Sequence, residues 1–350
     1  SGQDLSLSID LRLQYLAHRE LQRAITLSGA KAGTVVTLDS RTGEVLAMVN
    51  HPTYNPNARR GLSAGQTRNR ALTDVFEPGS TMKPLTLVAA LESGQFSPDT
   101  MIDTSPGRIR VGRKVLLDPV NYGEISVATI VAKSSQVGIV KMALQLDEQA
   151  VWSTFNRFGL GANPGTGFPG ESAGVLHYRD QWRPIERVTL AYGYGLAVTP
   201  LQLARAYSVI ANNGELRTPS LLKVGEQTGT PEQVIEPRIA RQVLKVLHGV
   251  TGPKGTAKRA RVEGYSVAGK TGTAHKANSQ GYADDRYLAF FAGIAPATNP
   301  RLVTIVLIDE PQGDRYYGGE VAAPVFSRIT AGALRLLNVV PDQLPAGGST

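Results

Sequence analysis

The sequence predicts a mixed α/β (α+β) fold: a sheet flanked by helices and drawn from both ends of the chain, with an all-helical lobe inserted between them. Three observations carry this. Strand-like runs come as a pair near the start, 34–39 and 44–49, and return at 264–273, 287–295 and 302–308. Helical periodicity dominates the stretch between. At 350 residues and 41% hydrophobic content, the chain can bury one large core or two lobes.

Asp10 is the N-cap of a helix predicted to about residue 27, striped by Leu13, Leu16, Leu21, Ala24 and Ile25. Gly29 and Gly33 end it. Ser40-Arg41-Thr42-Gly43 is turn chemistry, which makes the first two strands a hairpin. Residues 51–79, rich in Asn, Arg, Pro and Gly, read as a long ordered surface segment. Helices are predicted at 125–146, at 148–158 and from Thr199-Pro200 to Ala211, and another over 231–250 interrupted near Pro237. Loops are expected at 274–286 and 297–300, and a last helix over 322–337. The expected division is a sheet subdomain, roughly 1–60 and 262–340, with a helical lobe over 75–260.

The formal net charge is +8 and the pI about 9.6. Lys and Arg read as scattered, and no nucleic-acid motif is present, so nucleic acid is not expected as a partner. The positive field suits anionic substrates or an anionic membrane surface. With no cysteine, disulfides, zinc thiolates and a thiol nucleophile are excluded. His18, His51, His177, His248 and His275 show no metal spacing, and no metal or cofactor is expected. No apolar run approaches a membrane span, so any anchor is expected outside this chain.

Chemistry concentrates at Glu77-Pro78-Gly79-Ser80-Thr81-Met82-Lys83-Pro84. Pro78 and Gly79 break the chain before an apolar helical run, which places Ser80 at a helix start and Lys83 one turn on, within reach of its hydroxyl. Pro84 removes the helical donor for the Ser80 carbonyl, so the first turn should be irregular. A lysine can take the serine proton only if burial or a neighbouring cation lowers its pKa. Ser-x-x-Lys alone is weak evidence, recurring about once in a few hundred positions. Ser28-x-x-Lys31 and Ser220-x-x-Lys223 match it without the setting.

Two further elements raise Ser80 above these. Lys270-Thr271-Gly272-Thr273 is the one place where Lys is followed by Ser or Thr and then Gly. It reads as an edge strand on which substrate lies, with Gly272 admitting a ligand backbone and Lys270 and the two hydroxyls holding a carboxylate. Between them, Lys133-Ser134-Ser135-Gln136 can turn both Ser134 and Gln136 into one cleft only if the helix predicted over 125–146 breaks there.

In this order, Ser80-x-x-Lys83, Ser134-x-Gln136 and Lys270-Thr271-Gly272 resemble the penicillin-binding proteins. Longer stretches are similar to the transpeptidase domain of the class B, cell-division type of Gram-negative bacteria (FtsI, penicillin-binding protein 3-like). They are Arg68-Asn69-Arg70, Asp74-Val75-Phe76-Glu77-Pro78-Gly79-Ser80-Thr81, Phe158-Gly159-Leu160-Gly161, Tyr192-Gly193-Tyr194-Gly195-Leu196, Thr199-Pro200-Leu201-Gln202-Leu203-Ala204-Arg205 and Tyr316-Tyr317-Gly318-Gly319. The resemblance covers essentially all 350 residues. It implies the penicillin-binding/β-lactamase-like transpeptidase fold, with an antiparallel sheet and with an anchor and pedestal domain outside this chain.

It also implies a serine-type D-Ala-D-Ala transpeptidase of septal peptidoglycan synthesis, inhibited covalently by β-lactams, on the periplasmic face of the inner membrane. Ser80 would be the acyl-ester nucleophile, Lys83 its base, Ser134 a proton relay, and Lys270 a support for relay and substrate carboxylate. Thr271 and Thr273 would bind that carboxylate, and the Ser80 and Thr273 N–H groups would form the oxyanion hole. Tyr194, Tyr316 and Tyr317 match positions near the cleft and are read as an aromatic wall or as core packing. Expected partners are the stem peptide, β-lactams, and a SEDS-type glycosyltransferase with divisome proteins acting through regions mostly outside the chain.

Two positions depart from the family pattern. Gln136 stands where Asn is usual, one methylene longer, which shifts the reach of its amide. His275 stands where Arg is common, and an imidazole titrates near pH 6.5; both suggest a paralogue specialised for a growth condition. The rival readings are a β-lactamase, with Glu171 as nominal water activator, and a non-catalytic scaffold or β-lactam sensor.

Overall fold

The computed structural model describes residues 4–58, 60–224, 230–278 and 281–343, without the side chains of 277–278 and 281–285. The chain opens with α1 (Leu11–Ser28), capped by the Asp10 carboxylate on the Arg12 and Leu13 N–H groups and closed by Gly29 at φ 57°. It continues through β1 (Ala32–Asp39) and β2 (Val45–His51), then leaves the sheet through α2 (Ala64–Thr67), α3 (Arg70–Thr73) and α4 (Lys83–Glu92). Four short strands follow, β3 (Met101–Asp103), β4 (Arg108–Val111), β5 (Lys114–Leu117) and β6 (Glu124–Ser126), paired β3 with β6 and β4 with β5. The lobe is completed by α5 (Val127–Lys133), α6 (Gln136–Gln145), α7 (Ala150–Arg157), α8 (Pro184–Ala191), α9 (Pro200–Ala211), the ribbon of β7 (Glu215–Leu216) with β8 (Glu232–Gln233), and α10 (Pro237–Val250). The chain returns as β9 (Ala268–Asn278), β10 (Gly281–Ala295) and β11 (Leu302–Asp309), then α11 (Gly318–Val321) and α12 (Ala323–Leu336).

The sheet order is β2-β1-β11-β10-β9, antiparallel throughout, so β9 is an edge strand. Buried β-branched and aliphatic runs account for its centre: all eight residues of β1 and seven of the eight in β11 are buried. α1 and α12 pack on each other and on the sheet, while α9 packs on β1, β10 and β11 and also on α10. α9 thus joins lobe to sheet. Its Tyr207 is fully buried, and such a side chain contributes about 1.5–3 kcal/mol relative to exposure.

Several expectations are corrected. Pro237 does not interrupt a helix; it is the first residue of α10, where its missing N–H has no partner to lose. The loop expected at 274–286 is mostly strand, because β9 runs to Asn278 and β10 begins at Gly281. The segment 51–79 contains α2 and α3, and 264–267 precede β9. The β3–β6 and β4–β5 ribbons and α8 left no periodic signal long enough to predict. Among the described residues, no helix is long and apolar enough to cross a membrane.

Candidate active site

The serine stretch forms a 3₁₀ turn, Gly79–Met82, that runs into α4. With Pro84 unable to donate to the Ser80 carbonyl, the Lys83 N–H does so instead, which tightens the turn as the sequence requires. The turn is clamped from outside. Gly79 N–H donates to the Gly193 carbonyl at 2.9 Å, and the Tyr207 hydroxyl to the Thr81 carbonyl at 2.8 Å. Gly193, at φ 90°, must be glycine: a Cβ there would lie 2.0 Å from the Gly79 oxygen.

Ser80 opens onto a cleft of about 1120 Å³ also lined by Lys83, Ser134, Gln136, Thr271, Thr273, His275 and Tyr317. Lys83 is buried, and its Nζ donates to the Ser134 carbonyl at 2.6 Å and lies 3.0 Å from Ser134 Oγ. Burial pushes its pKa down to about 7, against a smaller upward pull from Asp118. The amine is therefore near half-neutral at physiological pH and can accept a proton. Its side-chain hydrogen bonds go to Ser134; among the described residues, no hydrogen bond joins Lys83 to the Ser80 hydroxyl.

The break between α5 and α6 falls where the polarity predicted it. Ser134 caps α5 in the left-handed region, φ 60° and ψ 33°, a conformation costly for a non-glycine residue. Asp118, which the sequence reading missed, holds it. Its carboxylate accepts from Ser135 Oγ at 2.6 Å and from the N–H groups of Gln136 at 2.5 Å and Val137 at 3.2 Å, at the N-terminus of α6.

Lys270 and Gly272 are not in the lining of the open cleft. Alternation along β9 turns Thr271 and Thr273 outward and these two inward. Lys270 is fully buried, with Nζ 3.2 Å from the Thr271 carbonyl, and burial together with the Lys83 charge pushes its pKa well down. By alternation it lies on the face of β9 that packs against the serine turn, where its charge and that of Lys83 act on each other. A Cβ on Gly272 would lie 2.4 Å from the Phe290 ring and 2.9 Å from the Thr81 methyl. The glycine is thus needed to pack β9 against the serine turn, a correction to its reading as space for ligand. Thr256 bonds Thr271 at 3.2 Å between hydroxyls, and Lys133, Lys258 and Arg259 add charge to the lining. The run Lys254, Lys258, Arg259, Arg261 was the available signal, and the cations are less scattered than they read.

The aromatic expectation divides. His275, Tyr287, Tyr316 and Tyr317 form a ring series with centroid spacings of 4.7, 4.0 and 4.5 Å, and His275 and Tyr317 face the cleft. Tyr194 is outside this wall. It packs beneath Gly79 and against Tyr192, its hydroxyl pushed up to about 12 by burial and Glu77. Glu171 accepts from Thr166 at 3.0 Å between side chains and does not line the cleft, and neither do the decoy serines Ser28 and Ser220.

The family description "Penicillin binding protein transpeptidase domain" matches residues 33–331. The chain is 43% identical over 347 residues to "Peptidoglycan D,D-transpeptidase FtsI" of Escherichia coli K12, covering 99% of this chain and 58% of that protein. It is 42% identical over 345 residues to "Probable peptidoglycan D,D-transpeptidase PenA" of Neisseria flavescens, covering 98% of this chain and 85% of that protein. The apo structure of the TP domain of Burkholderia pseudomallei penicillin-binding protein 3 superposes with a TM-score of 0.89 at 41% identity, covering 98% of this chain and 100% of that one. The chain thus spans a little over half the length of the Escherichia coli protein that it matches.

Proposed function

Since the chain belongs to the penicillin-binding protein transpeptidase family, we propose that it is the acyl-transfer domain of a peptidoglycan D,D-transpeptidase serving septal cell-wall synthesis. Ser80 Oγ attacks the penultimate D-Ala carbonyl of a stem peptide as its proton passes to the Lys83 amine. The C–N bond to the terminal D-Ala breaks, and that amine leaves with a proton relayed through Ser134. An amine of a neighbouring stem then attacks the ester, forming the cross-link and returning the proton to Ser80. The Ser80 N–H, in the first turn, and the Thr273 N–H on the edge strand receive the oxyanion. Thr271 and Thr273 hold the donor carboxylate, with Gln136 and His275 at its flank.

One observation carries this reading: a buried lysine, with its pKa lowered to about 7, lies at 3.0 Å from a second serine beside Ser80. The remaining functional assignment is a periplasmic setting, an anchor and synthase partner engaged through other parts of the protein, and a role in a particular growth condition suggested by Gln136 and His275. Mass spectrometry of the intact protein after penicillin treatment, with the adduct mapped by digestion, tests the chemistry. A stable adduct on Ser80, absent from Ser80→Ala, is expected. An adduct elsewhere, or rapid hydrolysis within seconds, contradicts it.

A further inference from the structure

The β4–β5 ribbon stands at the rim of the cleft, since the chain leaving it supplies Leu117, Asp118 and Pro119 to the lining. Its register sets Arg108 opposite Leu117 and Arg110 opposite Val115, so these four share one face. Val111 and Leu116 face the other way and are buried. Arg113 and Lys114 are exposed at the turn. Residues 108–117 therefore hold four cations and no acid, and among the described residues none of the four forms an ion pair. Like charges gathered on so small a ribbon repel one another. Asp118 does not relieve them, because both its oxygens are held by Ser135, Gln136 and Val137. On the same face Val115 and Leu117 are 43% and 60% exposed.

Resting on the transpeptidase reading of the cleft, we propose that this ribbon docks the acceptor strand of peptidoglycan. Its cations meet the free carboxylates of uncross-linked stem peptides, and Val115 and Leu117 meet their alanine methyls. Continuity with the cleft favours this over an anionic membrane: the acceptor amine must arrive at Ser80, and Lys133, Lys258 and Arg259 carry the same charge along the lining.

The test is co-sedimentation with purified sacculi, comparing the unaltered protein with R108Q/R110Q/R113Q/K114Q and titrating salt. Vesicles containing phosphatidylglycerol form a parallel arm. The four-site variant should lose at least about fivefold in retention, and the unaltered protein should be released as salt rises from about 50 to about 500 mM. Penicillin acylation, which reads the donor half alone, should stay within about twofold. Undiminished retention of the variant overturns the proposal, as does loss confined to vesicles. Should the variant not fold, indifference of the unaltered protein to salt overturns it and release by salt upholds it. Absence of a penicillin adduct on the unaltered protein would instead contradict the reading of the cleft.

Discussion

Asp118 Oδ2 accepts the Ser135 hydroxyl at 2.6 Å while Oδ1 accepts the Gln136 N–H at 2.5 Å. One carboxylate thereby fixes the turn that presents Ser134 to Lys83, and its charge pulls the Lys83 pKa upward. Asp118→Asn keeps an acceptor and loses the charge. It should lower stability by about 1–2 kcal/mol, read as a fall in Tm. Slower penicillin acylation is expected as well, with its pH midpoint moved to lower pH. An unchanged Tm and midpoint would contradict this role.

Ser134 sits in a backbone region that glycine occupies without penalty. Ser134→Gly should therefore leave Tm unchanged or raise stability by about 1 kcal/mol, while removing the hydroxyl next to Lys83 and slowing acylation about a hundredfold. Thermal melts and stopped-flow acylation on the same sample separate the two effects. Parallel loss of both would mean that the residue is structural.

Lys83 has its folded pKa depressed to about 7, below the ordinary lysine value of 10.5. Between those values the unfolded chain holds a proton that the folded chain lacks, so this group's contribution to stability rises with pH across the window, by on the order of 1 kcal/mol per pH unit. Below about pH 7 both states are protonated and the burial penalty is constant. Lys83→Met should accordingly be more stable than the unaltered protein at about pH 6, with the gap closing toward about pH 9. Chemical denaturation at several pH values measures it; a gap that widens with pH is the opposite result.

Local chemistry made much of the fold legible. Asp10, Thr199-Pro200 and the glycines after α1, α7 and α9 marked ends that the structure reproduces within a residue or two. The polarity at Ser134-Ser135 foretold the break between α5 and α6. What stayed hidden depends on partners distant in sequence. Asp118 belongs to a turn 17 residues ahead of it, and nothing near it in the chain says so. The inward direction of Lys270 and the packing demand on Gly272 follow from the β9 register and from Phe290 and Thr81, which no spacing rule supplies. The edge hairpin beyond Thr273 escaped because its polar sequence lacks the apolar alternation by which strands are recognised.

The proposed acylation needs a buried amine able to accept a proton, and the Lys83 amine has its pKa lowered to about 7. The direct measurement is the second-order rate constant for penicillin acylation of Ser80 from about pH 5 to about pH 9. A rise governed by one group with a midpoint near 7 is predicted, reflecting Lys83 as it loses its proton. A rate that does not change across this range, or one still climbing toward the ordinary lysine pKa of about 10.4, would contradict it.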